Sequence, residues 1–268
     1  MASVKGELAV DILEKRFFLP DGSSRTVLRD VAFRLVPGEF VAVVGPSGCG
    51  KTTLLNIVAG LDQDLTGTVR IGGQLPSTVQ IGYVFQHPRL LPWRTVFENV
   101  ALVLPRGADP FTVERLLDAV GLLDARNVHP SRLSVGMARR VAIARAFAVE
   151  PELLLMDEPF VSLDAATADR LRSLLLDRWR SRPTGVLFVT HDLREAIELA
   201  DRIMLLSDSP GRLLADIAVP LPRAGRSNRA AVQAVHSDIA DRQRSLLCAD
   251  VSKQTNSADR GAVAATSQ

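Results

Sequence analysis

The stretch Gly45-Pro46-Ser47-Gly48-Cys49-Gly50-Lys51-Thr52 has the composition and spacing of a loop that wraps a polyphosphate. Glycines let the backbone turn its N–H groups toward phosphate oxygens, and a helix opening directly behind them adds the positive end of its dipole. Lys51 would meet the β- and γ-phosphates, the Thr52 hydroxyl would ligate Mg²⁺, and Thr53 follows in the same turn. Lys51 is the sole lysine from position 16 to position 252 of an otherwise arginine-rich chain. A compact ammonium on a flexible stem does here what a planar guanidinium cannot.

A second feature is Leu153-Leu154-Leu155-Met156-Asp157-Glu158-Pro159, an apolar run that ends in two carboxylates and a proline. Acids at the carboxyl end of a parallel strand face the crevice where such sheets bind ligands. Asp157 reads as a Mg²⁺ ligand, and Glu158 as the group that orients or deprotonates attacking water. Ser134 is a good N-cap for a helix whose Met137, Val141, Ala144 and Ala148 share one face, so that helix start could also receive an anion.

Such residues need a scaffold. Short apolar, β-branched runs at residues 7–12, 40–44, 68–71, 79–84, 153–156, 186–190 and 203–206 read as strands. Helical patterns occupy 51–59, 111–120, 134–149 and 165–180, closed by Gly60, Gly121 and Pro151 where such signals exist. Their alternation predicts an α/β chain with a mostly parallel sheet. Residues 87–133 carry no comparable strand and many prolines, which predicts a helical insertion. From Gly225 onward apolar strands cease, and a surface helix followed by a disordered tail is expected.

At 47% hydrophobic the chain can bury a large core, which excludes disorder throughout. No apolar run reaches the eighteen or so residues of a membrane span, and the first ten residues lack a signal-peptide pattern. Cys49 and Cys248 fit no metal-ligand spacing and suit a reducing compartment. A net charge of +2 argues against a general nucleic-acid binder, so none is expected as a partner.

The ordered set of motifs resembles the ATPase subunits of ABC transporters. Leu133-Ser134-Val135-Gly136-Met137 with Arg140-Val141-Ala142-Ile143-Ala144-Arg145-Ala146 is similar to the family signature. Gln86 resembles the Q-loop, Ser162-Leu163-Asp164 the D-loop, and His191 the switch histidine. The resemblance runs from about residue 7 to residue 222. It implies a P-loop NTPase core with an N-terminal antiparallel β part. By this reading residues 1–86 and 141–224 form the nucleotide-binding core, 87–140 the helical signature part, and 225–268 the terminal helix and tail.

It also implies roles. Glu158, His191 and Gln86 would be catalytic, with Gln86 also joining Thr52 and Asp157 around Mg²⁺. ATP would lie on residues 45–53 and stack on Phe17, for which Phe18 is the competing candidate and a buried core ring the plain alternative. Two copies would pair head to tail, so that Ser134, Gly136 and Asp164 of one reach the nucleotide of the other. Transmembrane permease subunits would dock on the helical part at the cytoplasmic face of the membrane, indirectly serving a solute-binding protein. Residues 89–93 and 206–212 are similar to segments of the nitrate, sulfonate and taurine importer group, and Trp93 would either meet the permease or lie inside the helical part.

Two positions depart from the family. Val135 replaces a glycine and Arg139 a glutamine. A valine is harmless where the backbone is extended or helical and slows the ATPase where it must pass close to phosphate. The competing readings are an assembly or regulatory subunit with a weakened signature and a soluble non-transport ATPase of the same family.

Overall fold

The computed structural model describes residues 6–109, 111–161 and 163–265 and, of residues 251–265, the backbone. Three strands, β1 (Leu8–Phe18), β2 (Ser24–Leu35) and β4 (Thr66–Ile71), form an antiparallel sheet in the order β2-β1-β4. A second sheet runs in the order β5-β6-β7-β3-β8-β9, from β3 (Phe40–Val44), β5 (Ile81–Val84), β6 (Leu153–Asp157), β7 (Gly185–Thr190), β8 (Arg202–Leu206) and β9 (Leu213–Ala218). All its pairings are parallel except β8 with β9. This is the mostly parallel α/β sheet expected, with the antiparallel part at the N-terminal side.

The central strands explain why their sequences read as unbroken apolar runs. Phe40, Ala42 and Val44 of β3, with Val186 and Phe188 of β7, face one core; Val41, Val43, Leu187 and Val189 face another. Both faces of a parallel sheet are covered, so alternation with polar residues disappears. Each fully buried Leu or Val there contributes about 1.5–3 kcal/mol. The first core is closed by helices α2 (Val96–Ala101), α3 (Thr112–Ala119), α4 (Val135–Ala148), α5 (Ala165–Ser181) and α6 (Leu193–Leu199), and the second by the antiparallel sheet and α1 (Lys51–Val58). Helix α4 packs on α2 and α3 and also on β5, so it runs unbroken across position 140 and belongs to the helical part and the sheet together.

The structure adds β2, β9, α2 and α6 to the elements predicted. The surface helix expected from residue 225 onward is α7, Arg229–Ala265, and its helical backbone runs through residues 253–265. The scarcity of large apolar side chains there argues against a core, not against a helix, and its alanines, Lys253, Gln254 and Arg260 are good helix formers. Residues 266–268 lie outside the described residues. Among the described residues no helix is long and apolar enough to cross a membrane.

Candidate functional site

Four adjacent strands, β5, β6, β7 and β3, run parallel and end on one edge of the sheet. Gln86 follows β5, Asp157 ends β6 and Glu158 follows it, His191 follows β7, and residues 45–50 follow β3. Motifs more than a hundred residues apart in sequence thus meet because their strands are neighbours.

The loop after β3 turns on glycines that the geometry requires. Gly50 has φ +101°, and a Cβ on it would stand 2.7 Å from Leu28 Cδ2 and 3.1 Å from the Val27 carbonyl oxygen. Gly48, at φ +81°, also adopts the left-handed region that side chains disfavour. Gly45 and Cys49 are buried, Pro46 is half-buried and Ser47 exposed. Burial pushes the Cys49 thiol upward, so it serves as packing and not as a nucleophile. Lys51 is buried and donates to the carbonyl oxygens of Gly45 (2.7 Å) and Pro46 (2.6 Å). Its ammonium thereby lies against the concave side of its own loop. Thr53 sits one residue further along α1 and is half-buried.

Thr52 Oγ1 donates to Asp157 Oδ2 at 2.8 Å. Asp157 is buried, and that burial raises its carboxyl pKa, opposed by the Thr52 hydrogen bond and by the Lys51 and Arg139 charges, with Glu158 adding to the rise. A buried carboxylate beside a hydroxyl is an oxygen donor set that suits a hard divalent cation, whose charge would relieve the penalty on the anion. These residues fit Mg²⁺.

Glu158 stands next to Asp157 with φ +46°, outside the strand conformation, while its N–H still donates to the Val189 carbonyl at 2.9 Å. Its Oε1 lies 3.1 Å from His191 Nδ1. A carboxylate and an imidazole in contact at the mouth of a phosphate loop can share a proton and hold a water. The backbone around His191 is fixed by its neighbours. Thr190 Oγ1 donates to Glu195 Oε2 (2.8 Å) and accepts from the Asp192 N–H (3.0 Å), while Asp192 caps α6. Glu195 was missed by sequence reasoning, although its place three residues after Asp192 marks a helix start.

Phe17 stands apart on the antiparallel sheet. It is 42% exposed, and Phe18 75%. The plain reading as a core ring therefore does not hold for either. Phe17 pairs with Arg25 across the sheet, two residues from Val27, which packs on Gly50. The Lys15 ammonium lies 4.6 Å from the Phe17 ring centroid, and Lys15 itself is buried, donating to Asp62 Oδ1 (2.8 Å) and the Asp64 carbonyl (2.6 Å). Lys15 was also missed, since nothing in a lysine's neighbours announces that it is buried.

Ser134 and Gly136 lie at the start of α4, outside this cluster. Ser134 is the N-cap, its Oγ accepting from the Met137 N–H at 3.2 Å. Val141, Ala144 and Ala148 are buried and Met137 half-buried, as the helical spacing implied. Val135 is the first helical residue, 61% exposed, and absent from the positive-φ positions, so a valine fits there without strain. Gly136 faces Leu163, whose Cδ2 a Cβ would meet at 3.3 Å. Asp164 caps α5, accepting from the Thr167 N–H at 2.9 Å; Thr167's side-chain and backbone hydrogen bonds hold its carboxyl below the ordinary range. Ser162 lies outside the described residues.

Trp93 is 69% exposed on the loop before α2, which excludes burial inside the helical part. That loop is pinned by Asn99, which is fully buried and donates to the carbonyls of Leu91, Arg94 and Thr95 while accepting from the Leu91 N–H.

Comparison with known proteins agrees with this arrangement. Residues 28–161 match the family model described as ABC transporter. The aliphatic sulfonates import ATP-binding protein SsuB 2 of Burkholderia lata is 47% identical over 226 residues, covering 83% of this chain and 82% of its own. The aliphatic sulfonates import ATP-binding protein SsuB of Bacillus subtilis is 42% identical over 224 residues, covering 81% and 88%. Among solved structures, a dimeric ATP-binding cassette in a post-hydrolysis state bound to ADP and Pi is similar with a TM-score of 0.71 and 30% identity, covering 80% of this chain and all of that one.

Proposed function

The chain belongs to the ABC transporter family, and on that premise we propose that it binds and hydrolyses ATP to power import of aliphatic sulfonates, as a head-to-tail pair docked on permease subunits. The observation that carries this reading is the contact of Glu158 with His191 at 3.1 Å beside that of Thr52 with Asp157 at 2.8 Å, on the sheet edge where residues 45–50 curve. The choice of aliphatic sulfonates follows the names of the relatives; no residue of this site would touch the transported molecule.

Residues 45–53 would hold the phosphates of ATP, with Lys51 exchanging its bonds to the Gly45 and Pro46 carbonyls for phosphate oxygens. Phe17 would offer a ring face to adenine. Thr52, Asp157 and Gln86 would hold Mg²⁺, which when bound offsets charge on the phosphates. Glu158 would orient and accept a proton from attacking water, and His191 would keep the Glu158 carboxylate aimed and contact the γ-phosphate. Ser134, Gly136 and Asp164 would serve the nucleotide of the partner copy.

The division of labour in the chain follows. Residues 1–86 and 141–224 would form the nucleotide-binding core, and 87–140 the helical part, with α4 joining the two. The exposed Trp93, on a loop fixed by Asn99, would be covered by the permease at the inner face of the membrane, leaving the protein peripheral, with a solute-binding protein reached only through the permease.

ATP turnover of the wild type beside Glu158→Gln tests the catalytic reading. Loss of the general base should lower the rate on the order of 10²- to 10⁴-fold, and equal rates would refute the assignment. Stimulation of the reconstituted complex by short alkanesulfonates and their binding protein, compared with nitrate, tests the substrate.

A further inference from the structure

Helix α4 carries Arg139, Arg140 and Arg145, and each sends its guanidinium to backbone carbonyls of loops. Arg145 donates to the carbonyls of Arg89 (3.0 Å) and Pro88 (2.8 Å), and Arg140 to that of Val120 (3.0 Å) just past α3. Arg139 differs in what it joins. Its Nη1 donates to the Glu158 carbonyl at 2.6 Å and its Nη2 to the Gln86 carbonyl at 2.7 Å.

The two acceptors belong to residues at the ends of the neighbouring strands β5 and β6, which share no hydrogen bond beyond Val84 and Met156 in their register. Past that point nothing in the ladder sets the spacing between the Gln86 and Glu158 backbones. A guanidinium has two terminal nitrogens at a fixed separation in one plane, and Arg139 is only 4% exposed, so water competes little for either bond. Glu158 also has a left-handed backbone at φ +46°, a conformation that surrounding structure must hold. Burial lowers the pKa of Arg139, and the charges of Glu158 and Asp157 oppose that lowering.

We propose that Arg139 is a positioning residue for hydrolysis: one guanidinium fork sets the spacing between the backbones of Gln86 and Glu158 and ties both to the helix that begins at Ser134. The inference rests on the reading of Glu158 as general base. Arg139 contacts neither water nor phosphate in this role and works through the two residues it holds. Because it lies five residues after Ser134, roughly 7–8 Å along the same rigid helix, a displacement of the signature end reaches the Gln86 and Glu158 backbones directly.

The test is steady-state ATP hydrolysis by the purified full-length chain, with kcat and KM measured for wild type, Arg139→Met, Arg139→Lys and Glu158→Gln, and folding of each checked by thermal melting. Methionine keeps the apolar stem and removes both donors. It should lower kcat about 10- to 100-fold, the scale of a small misplacement of catalytic groups, while KM for ATP stays within about twofold. Lysine can donate to both carbonyls but from a single nitrogen, without the rigid planar fork that fixes their separation, and should fall between methionine and wild type. A folded Arg139→Met with wild-type kcat would overturn the inference, as would a loss carried wholly by KM. Should the methionine variant fail to fold, Arg139→Lys decides alone: full kcat overturns the inference, and reduced kcat at unchanged KM supports it. Wild-type turnover in Glu158→Gln would bring down the general-base reading and this inference with it, whereas an inactive Glu158→Gln beside an unimpaired Arg139→Met would bring down the inference only.

Discussion

Lys15→Met isolates the cation beneath the Phe17 ring. In the folded chain Lys15 is 2% exposed and makes a charge-assisted bond of 2.6 Å to the Asp64 carbonyl and a pair of 2.8 Å with Asp62, whose side chain is 21% exposed. The third partner, Asp64 Oδ2 at 3.6 Å, is 80% exposed and contributes little. A hydrogen bond to a charged group is worth about 1.5–3 kcal/mol, and the partly exposed Asp62 pair adds about 1 kcal/mol or less. Against this, methionine spares the cost of burying an ammonium. The net loss should be about 2 kcal/mol, or roughly 4–8 °C in Tm for a chain of this size. The ring also loses a cation 4.6 Å from its centroid, about 0.5–1 kcal/mol of interaction that holds it in place, so KM for ATP should rise, by no more than roughly two- to fivefold, with kcat unchanged. Urea and thermal unfolding give the first quantity and an ATP titration of turnover the second. A Tm within about 1 °C of wild type would show that the buried ammonium does not clamp β1 to residues 62–64. An unchanged KM would show that Lys15 does not organise the Phe17 face.

Val135→Gly should leave kcat within about twofold, because Val135 is exposed and helical, and should cost about 0.4 kcal/mol through helix propensity, read as a Tm lower by roughly 1–2 °C. A large gain in turnover would instead mean that the side chain obstructs the nucleotide. Asn99→Leu strips four hydrogen bonds from a fully buried amide and should destabilise by about 3 kcal/mol or more in urea unfolding; a variant as stable as wild type would refute the pinning of the Trp93 loop. The Thr95 N–H holds the Glu98 carboxyl below its ordinary value of 4.5, an effect reinforced by Arg94. Its folded-state pKa is depressed, so the stabilisation is present above the unfolded value and lost as pH falls through the folded one. Glu98→Gln should therefore melt below wild type at pH 7 and converge with it in acid, and a constant difference in Tm would contradict this.

The parallel strands were legible because burial on both faces leaves continuous apolar runs, and residues 40–44 and 186–190 were read almost to the residue. Strand β2 was not. Its buried residues Leu28, Val31, Phe33 and Leu35 lose the two-residue rhythm at Asp30, whose φ of +52° inserts an irregularity that no propensity announces. The edge strand β9 is half-exposed on most of its length, and α2 and α6 span barely two turns, too short for a period to show. In the candidate site the residue types of the phosphate loop, the two carboxylates and His191 were readable because each closes a buried strand. Arg139 was visible only as a departure at a helical position. That its fork ends on two carbonyls 53 and 19 residues away is a product of strand order, which a single sequence does not display.

The bonds from Lys51 to the Gly45 and Pro46 carbonyls also bear on selectivity. The loop houses an internal competitor for its own cation, tethered at high effective concentration. Every anion that enters must replace two good acceptors, so part of its attraction to the ammonium is offset by the bonds it displaces. A ligand that lays several phosphate groups along the same curve meets the N–H groups of the loop as well as Lys51, and recovers more of that loss than a single small anion does.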